Sequence, residues 1–185
     1  MDQTAMIGKV LDETNRVVDG IEPSQLDNPS PCDEWTVRDV LNHITSGATM
    51  FAVCVREGCI SDEQLGELLV SDNLGADYKG AFRDASAAAL SAFDEPGAAD
   101  KMVKLPFGEM PAGVAINIAI FDVATHTWDL AKSTGQQMQL DPEVLAAAYE
   151  LAQAMMPGMR ANASVAAASN DCSCVAACSM PNASR

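Results

Sequence analysis

Three side chains in this sequence have the chemistry of metal ligands: His43, Asp122 and His126. Asp122 interrupts the apolar run AINIAIFDVA, and an unpaired carboxylate on an apolar helix face costs several kcal/mol. It therefore needs a cation, hydrogen-bond donors or a metal as a partner. His126 follows one turn later on the same helix face, and His43 is the only other histidine. Two imidazoles and one carboxylate suit a divalent metal that keeps positions open for water or substrate.

The same residues also have simpler interpretations. A lone histidine on a helix flank is often a structural residue, and an Asp and a His one turn apart often form a hydrogen-bonded pair. Asp122 could equally pair with an arginine. However, Lys and Arg number only 11 in 185 residues, and none stands within five residues of Asp122. The donor set alone leaves a metal site and a structural network both open.

Composition predicts one all-α domain. A chain of 185 residues is long enough for one buried core and short for two. Hydrophobic residues make up 48% and aromatics only 5%, with Ala, Leu, Val and Met supplying most of the apolar count, which favours helices. The formal net charge of -15 repels phosphate backbones and anionic lipid surfaces. We therefore expect no nucleic-acid partner.

Targeting features and cysteines indicate a cytoplasmic protein. No stretch approaches the roughly 20 apolar residues that span a bilayer, and the N-terminus lacks a signal-peptide layout, so no membrane association is expected. In such a chain the six cysteines are expected to be reduced thiols. They stand at positions 32, 54, 59, 172, 174 and 178. The C-x-C-x3-C spacing of the last three is not a common zinc motif.

Two predicted helices must position the candidate ligands. The second helix begins at Thr36, where Thr36 and Asp39 form a capping-box pattern. His43 lies on the flank of its apolar stripe and should face the bundle interior or its rim. The fourth helix, from Pro111 to about Lys132, is apolar at nearly every position around Asp122 and should be buried nearly all round.

The remaining elements complete a bundle. We predict a first helix at 4–18, a proline-rich connector at 22–35, a long crossover at 57–75 with a short helix at 62–70, and a third helix at 76–93. Residues 101–107 are predicted to be an extended loop across one end of the bundle, with a two-stranded piece as the alternative. A last helix runs from 141 to 156 and is ended by Pro157-Gly158. Residues 1–160 are thus the domain, and 161–185 an Ala/Ser/Cys-rich tail, ordered or disordered.

Three motifs together carry a family resemblance. They are PCDEWTVRDVLNH at 31–43, LPFG at 105–108 and DVATHTWDLA at 122–131. In combination they resemble the actinobacterial branch of the DinB-like proteins, which includes the mycothiol-dependent maleylpyruvate isomerase. The resemblance covers about residues 5–157. After Arg160 the chain departs from the Pro- and Val-rich continuation typical of these relatives, which a divergent terminus or a shifted reading frame would explain.

The resemblance implies a four-helix bundle with a long crossover after the second helix and a metal, usually zinc, near one end. By position, His43 and His126 match the two histidine ligands, and Asp122 matches the acidic ligand. The isomerase has Glu at that place. Because Asp is one methylene shorter, either the helices approach more closely, the carboxylate binds through one oxygen, or the ligand is weak.

The resemblance also implies an activity. In such relatives a low-molecular-weight thiol places its sulfur on the metal, which yields a thiolate at neutral pH. We therefore expect a metal-dependent thiol S-transferase or isomerase, with mycothiol as cosubstrate, a small electrophile as substrate and no side-chain nucleophile. A non-catalytic metal or small-molecule binding bundle, and a stress-response protein with a vestigial site, are the alternatives. A homodimer would fit an apolar outer stripe.

The two tryptophans and the first three cysteines are predicted to have structural roles. Trp35 and Trp128 are expected to be core anchors, because aromatic residues are so few in this chain. Cys32, Cys54 and Cys59 have no neighbouring positive charge in the sequence that would lower a thiol pKa, so they too are expected to be structural.

Overall fold

A computed structural model describes residues 2–166 of the chain, with side chains described through residue 154. Six helices and one small hairpin account for the regular structure of these residues. Their bounds are α1 Gln3–Asp19, α2 Val37–Glu57, α3 Asp62–Val70, α4 Tyr78–Phe93, β1 Met102–Leu105, β2 Gly108–Pro111, α5 Ala112–Ser133 and α6 Pro142–Ala166, with short 3-10 turns at Pro23–Gln25 and Ala98–Asp100. The prediction of an all-α bundle is confirmed.

Helices α1, α2, α4 and α5 form the four-helix bundle. Helix α2 packs against α4 and α5, and α1 packs against the same two helices from the other side. The successive helices α1 and α2 are therefore diagonal to each other. Apolar side chains that are fully buried fill the space between the four, among them Phe82, Leu41, Ile44, Ile116 and Ile120.

Contacts between the helices fix their directions. Helix α1 runs parallel to α5, because Gln3 bonds Asn117 and Thr14 bonds Thr127. Helices α2 and α4 also run parallel to each other, because Arg38 bonds the carbonyl of Gly75 just before α4, and Arg56 bonds a carbonyl within it. Two adjacent parallel helices need a connection that returns the chain to its starting end. The predicted long crossover after α2 supplies it, with α3 inside.

Capping fixes where α2 starts and ends. The Thr36 hydroxyl accepts a hydrogen bond from the Asp39 backbone N–H, and the Asp39 carboxylate accepts one from the Thr36 backbone N–H, as the sequence predicted. Gly58 ends the helix with φ of 87°, a left-handed conformation that glycine adopts without steric cost. Since both ends are fixed, the turn of α2 on which His43 stands is fixed as well.

The segment between α4 and α5 is a β-hairpin, so the predicted extended loop is wrong and the two-stranded alternative is confirmed. Strands β1 and β2 are antiparallel, with Leu105 paired to Gly108 around the two-residue turn Pro106-Phe107. The Lys104 N–H donates to the carbonyl of Gly58, 2.7 Å away. This contact holds the hairpin at the C-terminal end of α2, about 22 Å along the helix from His43.

The last helix is longer than predicted. Helix α6 continues through Pro157 to Ala166, so the prediction that Pro157-Gly158 ends it is wrong. A proline in a helix interior removes one backbone donor and costs about 3 kcal/mol, but the alanines and methionines around it favour helix and the chain continues. The predicted boundary at 160/161 falls inside α6. Residues 167–185, with Cys172, Cys174 and Cys178, lie outside the described residues.

Within residues 2–166, no helix combines the length and the apolar composition needed to cross a membrane. Helix α5 is 22 residues long and largely apolar. Its polar residues include Asp122, His126 and Asp129, which face the bundle at the site described next.

Candidate metal centre

The three candidate ligands meet between α2 and α5. His43 projects from the second turn of α2, and Asp122 and His126 project from successive turns of α5. Asp122 Oδ1 lies 3.5 Å from His43 Nε2 and 3.6 Å from His126 Nε2. One donor atom from each of the three residues lies within 4.8 Å of the other two. The structure thus brings together all three residues that the sequence singled out.

The spacing fits a metal ion. Ligand atoms bound about 2.0 to 2.2 Å from a tetrahedral zinc lie about 3.3 to 3.6 Å from one another. The two distances from Asp122 Oδ1 match this range. Since one oxygen of Asp122 faces both imidazoles, the short side chain suffices when it binds through a single oxygen, which was one of the options that the shorter acid left open.

The three side chains differ in exposure, so the site is closed at His126 and open at the other two residues. The His126 side chain is 6% exposed, whereas His43 and Asp122 are 34% and 31% exposed. The site therefore has a closed wall at His126 and a mouth at the other two residues.

Asp129, which the sequence analysis did not select, orients His126. Its Oδ2 lies 2.9 Å from His126 Nδ1, and both side chains are buried. When Nδ1–H donates to this carboxylate, the lone pair of Nε2 points to the site, which is the arrangement usual for metal-bound histidines. The signal was present in the sequence, because Asp129 follows His126 by three residues on a helix face.

Cys32 reaches the same carboxylate from the connector before α2. Its Sγ lies 3.4 Å from Asp129 Oδ2, in a contact between residues 97 positions apart. The thiol, the carboxylate and the His126 imidazole form a second cluster whose three donor atoms lie within 4.8 Å of one another. No sequence pattern predicts this contact, because the path of an irregular connector cannot be read from periodicity.

Trp35 lies against both imidazoles. Its ring centroid is 5.2 Å from that of His43 and 6.0 Å from that of His126, and it stacks on the latter. The preceding residue, Glu34, has φ of 65°, an unfavourable value for a residue with a side chain, and this turn sets the position of Trp35. The tryptophan is half-buried at the site. Trp128 is 40% exposed, so the expectation that it anchors the core is wrong.

Charge and burial act on the ionisable groups of the site. Burial raises the pKa of Asp122, but the hydrogen bond to His43 and the positive charge of both imidazoles outweigh it, so the pKa is lowered. Burial lowers the pKa of His126, yet its hydrogen bond to Asp129 and the charges of the two carboxylates raise it overall. The site therefore attracts positive charge, whether carried by protons or by a cation.

The other two described cysteines lie away from this site. Cys54 is buried and Cys59 is exposed, and burial raises the pKa of the Cys54 thiol. Its Sγ is 3.6 Å from the carbonyl oxygen of Lys104, at the hairpin end of α2. These observations fit the structural interpretation of Cys54.

The up-down-down-up bundle with a histidine and carboxylate cluster near one end defines a DinB-like domain. Residues 7–131, more than half of the chain, match the family described as the mycothiol maleylpyruvate isomerase N-terminal domain. The chain belongs to this family, whose members are mycothiol-related, metal-binding domains of DinB-like fold. This confirms the resemblance drawn from the three sequence motifs.

Similar proteins come from Mycobacterium tuberculosis. One from strain CDC 1551 / Oshkosh and one from strain H37Rv are each 32% identical to this chain over 164 residues, which cover 84% of this chain and 80% of theirs. Both are named only as uncharacterized proteins. No solved structure matched the chain.

Proposed function

We propose that this protein is a metal-dependent enzyme that activates a low-molecular-weight thiol, such as mycothiol, for S-transfer to a small electrophile or for isomerisation of one. His43, Asp122 and His126 are the proposed ligands of one divalent metal ion, with zinc as the first candidate. The proposed setting is the cytoplasm, where small thiols are kept reduced.

One observation carries the proposal. A single oxygen, Asp122 Oδ1, faces the Nε2 atoms of both histidines at 3.5 and 3.6 Å. The contact with His43 is at the long limit for a hydrogen bond, and the contact with His126, whose Nδ1 already has Asp129 as a partner, is beyond that limit. Both distances suit three ligands around a common ion, and membership of a metal-binding family supports the same interpretation.

When bound, a divalent metal at this site would lower the pKa of a thiol that binds to it, so that the thiol becomes a thiolate at neutral pH. The remaining contributions come from the chain itself. Asp129 holds His126 in the tautomer whose Nε2 lone pair faces the site. Trp35 closes one side and restricts the rotation of both imidazoles.

The open side of the site fits a small thiol and a small electrophile. His43 and Asp122 are each about one third exposed, so the sulfur of a thiol can reach the donor atoms from solvent. Three protein ligands leave a fourth tetrahedral position for this sulfur, as in other catalytic zinc sites. In this proposal the attacking atom belongs to the thiol, and the protein supplies no nucleophile of its own.

The test combines metal analysis with a thiol-conjugation assay. Protein purified without chelators is analysed for bound metal, and conjugation of a model electrophile is measured with added mycothiol. We expect about one metal ion per chain in the wild type, loss of metal in His43→Ala and His126→Ala, and loss of conjugation with it. Asp84→Asn is the control, because Asp84 is an exposed acid on α4 away from the site.

The outcomes separate the alternatives. Wild-type protein that binds metal but does not accelerate conjugation would be a metal-binding bundle without this activity. Full conjugation in both histidine variants would rule the mechanism out. Loss of metal in Asp84→Asn to the same degree as in the histidine variants would indicate a general effect of charge or folding rather than loss of ligands.

A further inference from the structure

We propose that Cys32 is a positioning residue of the metal centre, which acts on His126 through Asp129. The inference rests on the proposed function, because it gives Cys32 a role in the same site. It goes beyond the sequence interpretation, in which Cys32 is a structural residue with no stated connection to the site.

The contact geometry defines a chain of three groups. Asp129 Oδ2 is 2.9 Å from His126 Nδ1 and 3.4 Å from Cys32 Sγ. The same oxygen thus accepts from the imidazole N–H and from the thiol S–H. All three residues are buried, with Asp129 2% and Cys32 6% exposed.

The burial of Asp129 makes the thiol contact important. An ionised carboxylate out of water needs hydrogen-bond donors, and losing one costs more than the bond itself contributes. The S–H group supplies one such donor, and it comes from the connector before α2 rather than from α5. Without the thiol, the carboxylate loses one of its donors, and we expect the directions of Asp129 and of the His126 imidazole to be held less firmly.

The backbone around Cys32 holds the sulfur in place. The Ser30 hydroxyl accepts from the Cys32 N–H, the Ser30 N–H donates to the Trp35 carbonyl, and the Trp35 N–H donates to the Cys32 carbonyl. A side chain as short as that of cysteine then has little freedom of its own. Trp35 belongs to the same turn. This segment of chain therefore contacts His126 directly through the Trp35 ring, and indirectly through the contact of Cys32 with Asp129.

A metal shared by Cys32, Asp129 and His126 Nδ1 explains the geometry less well. Ligand atoms around a tetrahedral zinc lie about 3.3 Å or more apart, whereas Nδ1 and Oδ2 are 2.9 Å apart, a normal hydrogen-bond length. The cluster is therefore interpreted as a support for the neighbouring site and not as a second one.

The first test measures zinc affinity by competition with a chromophoric chelator. We expect Cys32→Ala to weaken zinc binding about 10-fold, at the lower end of the range for outer-shell partners of metal ligands. Cys32→Val, which fills the space without a donor, should lose as much. Cys32→Ser keeps a donor and should lie between the wild type and Cys32→Ala. Cys54→Ala, which removes another buried thiol, should bind zinc as the wild type does.

The second test is made without metal, by nitrogen-15 NMR of the imidazoles. With only two histidines in the chain, His43→Ala assigns the ring signals of His126. In Cys32→Ala and Cys32→Val the Nδ1–H proton of His126 should exchange with solvent at least several-fold faster than in the wild type and in Cys54→Ala. Because Cys32→Val keeps the space filled, faster exchange in that variant reports the loss of the donor rather than a loss of packing.

The two tests separate the possible failures. If the wild type binds no zinc, the proposed function fails, and the exchange measurement alone decides whether Cys32 holds the Asp129–His126 pair. If the wild type binds zinc and Cys32→Val shows wild-type affinity and wild-type exchange, the inference on Cys32 is overturned while the metal centre stands. Should Cys32→Ala not fold, Cys32→Val and Cys32→Ser give the same comparison.

Discussion

Asp129 follows His126 by three residues on α5, and its carboxylate lies 2.9 Å from the Nδ1 atom of that imidazole. Because Asp122 stands one turn before His126 and faces Nε2 at 3.6 Å, each ring nitrogen has its own carboxylate. One carboxylate faces the mouth of the site and the other is buried. The first is proposed to bind the ion and the second to orient the ring.

Replacing the buried carboxylate of Asp129 tests whether it orients the His126 ring. Asp129→Asn keeps the size of the side chain but removes its charge and places an amide N–H₂ among two existing donors. We expect zinc affinity to fall about 10- to 100-fold, measured by chelator competition. Asp100→Asn, an exposed acid beside the hairpin, is the control. Unchanged affinity in Asp129→Asn would show that His126 keeps its direction without this partner.

Replacing the carboxylate at the mouth tests its role as a ligand. Asp122→Asn should weaken zinc binding at least about 10-fold, since a neutral amide oxygen is a much poorer ligand for zinc than a carboxylate. Asp122→Glu keeps the charge and restores the residue that the isomerase resemblance implies, so it should still bind zinc. Isothermal titration of both variants checks this. Equal binding by the amide variant and the wild type would remove Asp122 from the ligand set.

Zinc should stabilise the fold. An ion that binds only the native state adds about 2.7 kcal/mol at 100 times its Kd, which for a domain of this size corresponds to a rise in Tm of about 5 to 10 °C. Calorimetry of chelator-treated protein with and without zinc measures the rise. His126→Ala should show none of it. A rise of the same size in His126→Ala would place the binding of zinc elsewhere on the chain.

Tryptophan fluorescence should report on the site. Trp35 lies against both imidazoles, whereas Trp128 is exposed, and the chain has no other tryptophan. Zinc binding should change the emission of Trp128→Phe, in which Trp35 alone remains. The emission of Trp35→Phe should not change. The reverse result would show that the ion binds away from Trp35.

Glu13 provides a pH-dependent part of the stability, away from the site. Burial raises its pKa, but hydrogen bonds from Arg16 and the Gln139 N–H and the Arg16 charge outweigh this and hold the pKa below its ordinary value of 4.5. The ionised form is thus favoured by folding, so its stabilisation is present above pH 4.5 and is lost as pH falls through the lowered pKa.

Glu13→Gln should therefore destabilise the protein by about 1 to 3 kcal/mol at pH 7. The difference from the wild type should shrink as the pH falls below 4.5, where the unfolded wild-type carboxyl takes up a proton, and should vanish below the lowered pKa, where the folded one does too. Urea unfolding at several pH values measures both effects. Glu150→Gln, an exposed position on α6, is the control. A difference that stays constant down to pH 3 would contradict the assignment.

The sequence predicted what depends on periodicity and capping. Thr36 and Asp39 marked the start of α2, and the stripe that follows placed His43 at the inner flank, where it lies. The polar interruption of α5 marked Asp122 and His126. Their meeting with His43 was a prediction from ligand chemistry and resemblance, and their role as ligands stays a prediction.

The sequence could not show what depends on irregular chain and on long-range packing. The positive φ of Glu34 turns Trp35 onto the imidazoles, and the connector carries Cys32 to Asp129, 97 residues further on. Neither contact can be predicted from a repeating pattern of residues in the sequence. The continuation of α6 through Pro157 is not predictable for another reason: proline usually ends a helix, and here the helix propensity of the residues on either side outweighs its cost.

The diagonal placement of α1 and α2 has a consequence for synthesis of the chain. His43 and its α5 partner Asp122 are separated by 79 residues, and the return segment with α3 and α4 must be made before they can meet. A nascent chain therefore presents the His43 imidazole alone while the 79 residues up to Asp122 are made, and it gains the other two side chains only when α5 emerges. Under the proposed function, the metal ion binds after α5 has been synthesised, when nearly the whole bundle has been translated. A bound ion would therefore mark a chain whose bundle helices are correctly arranged.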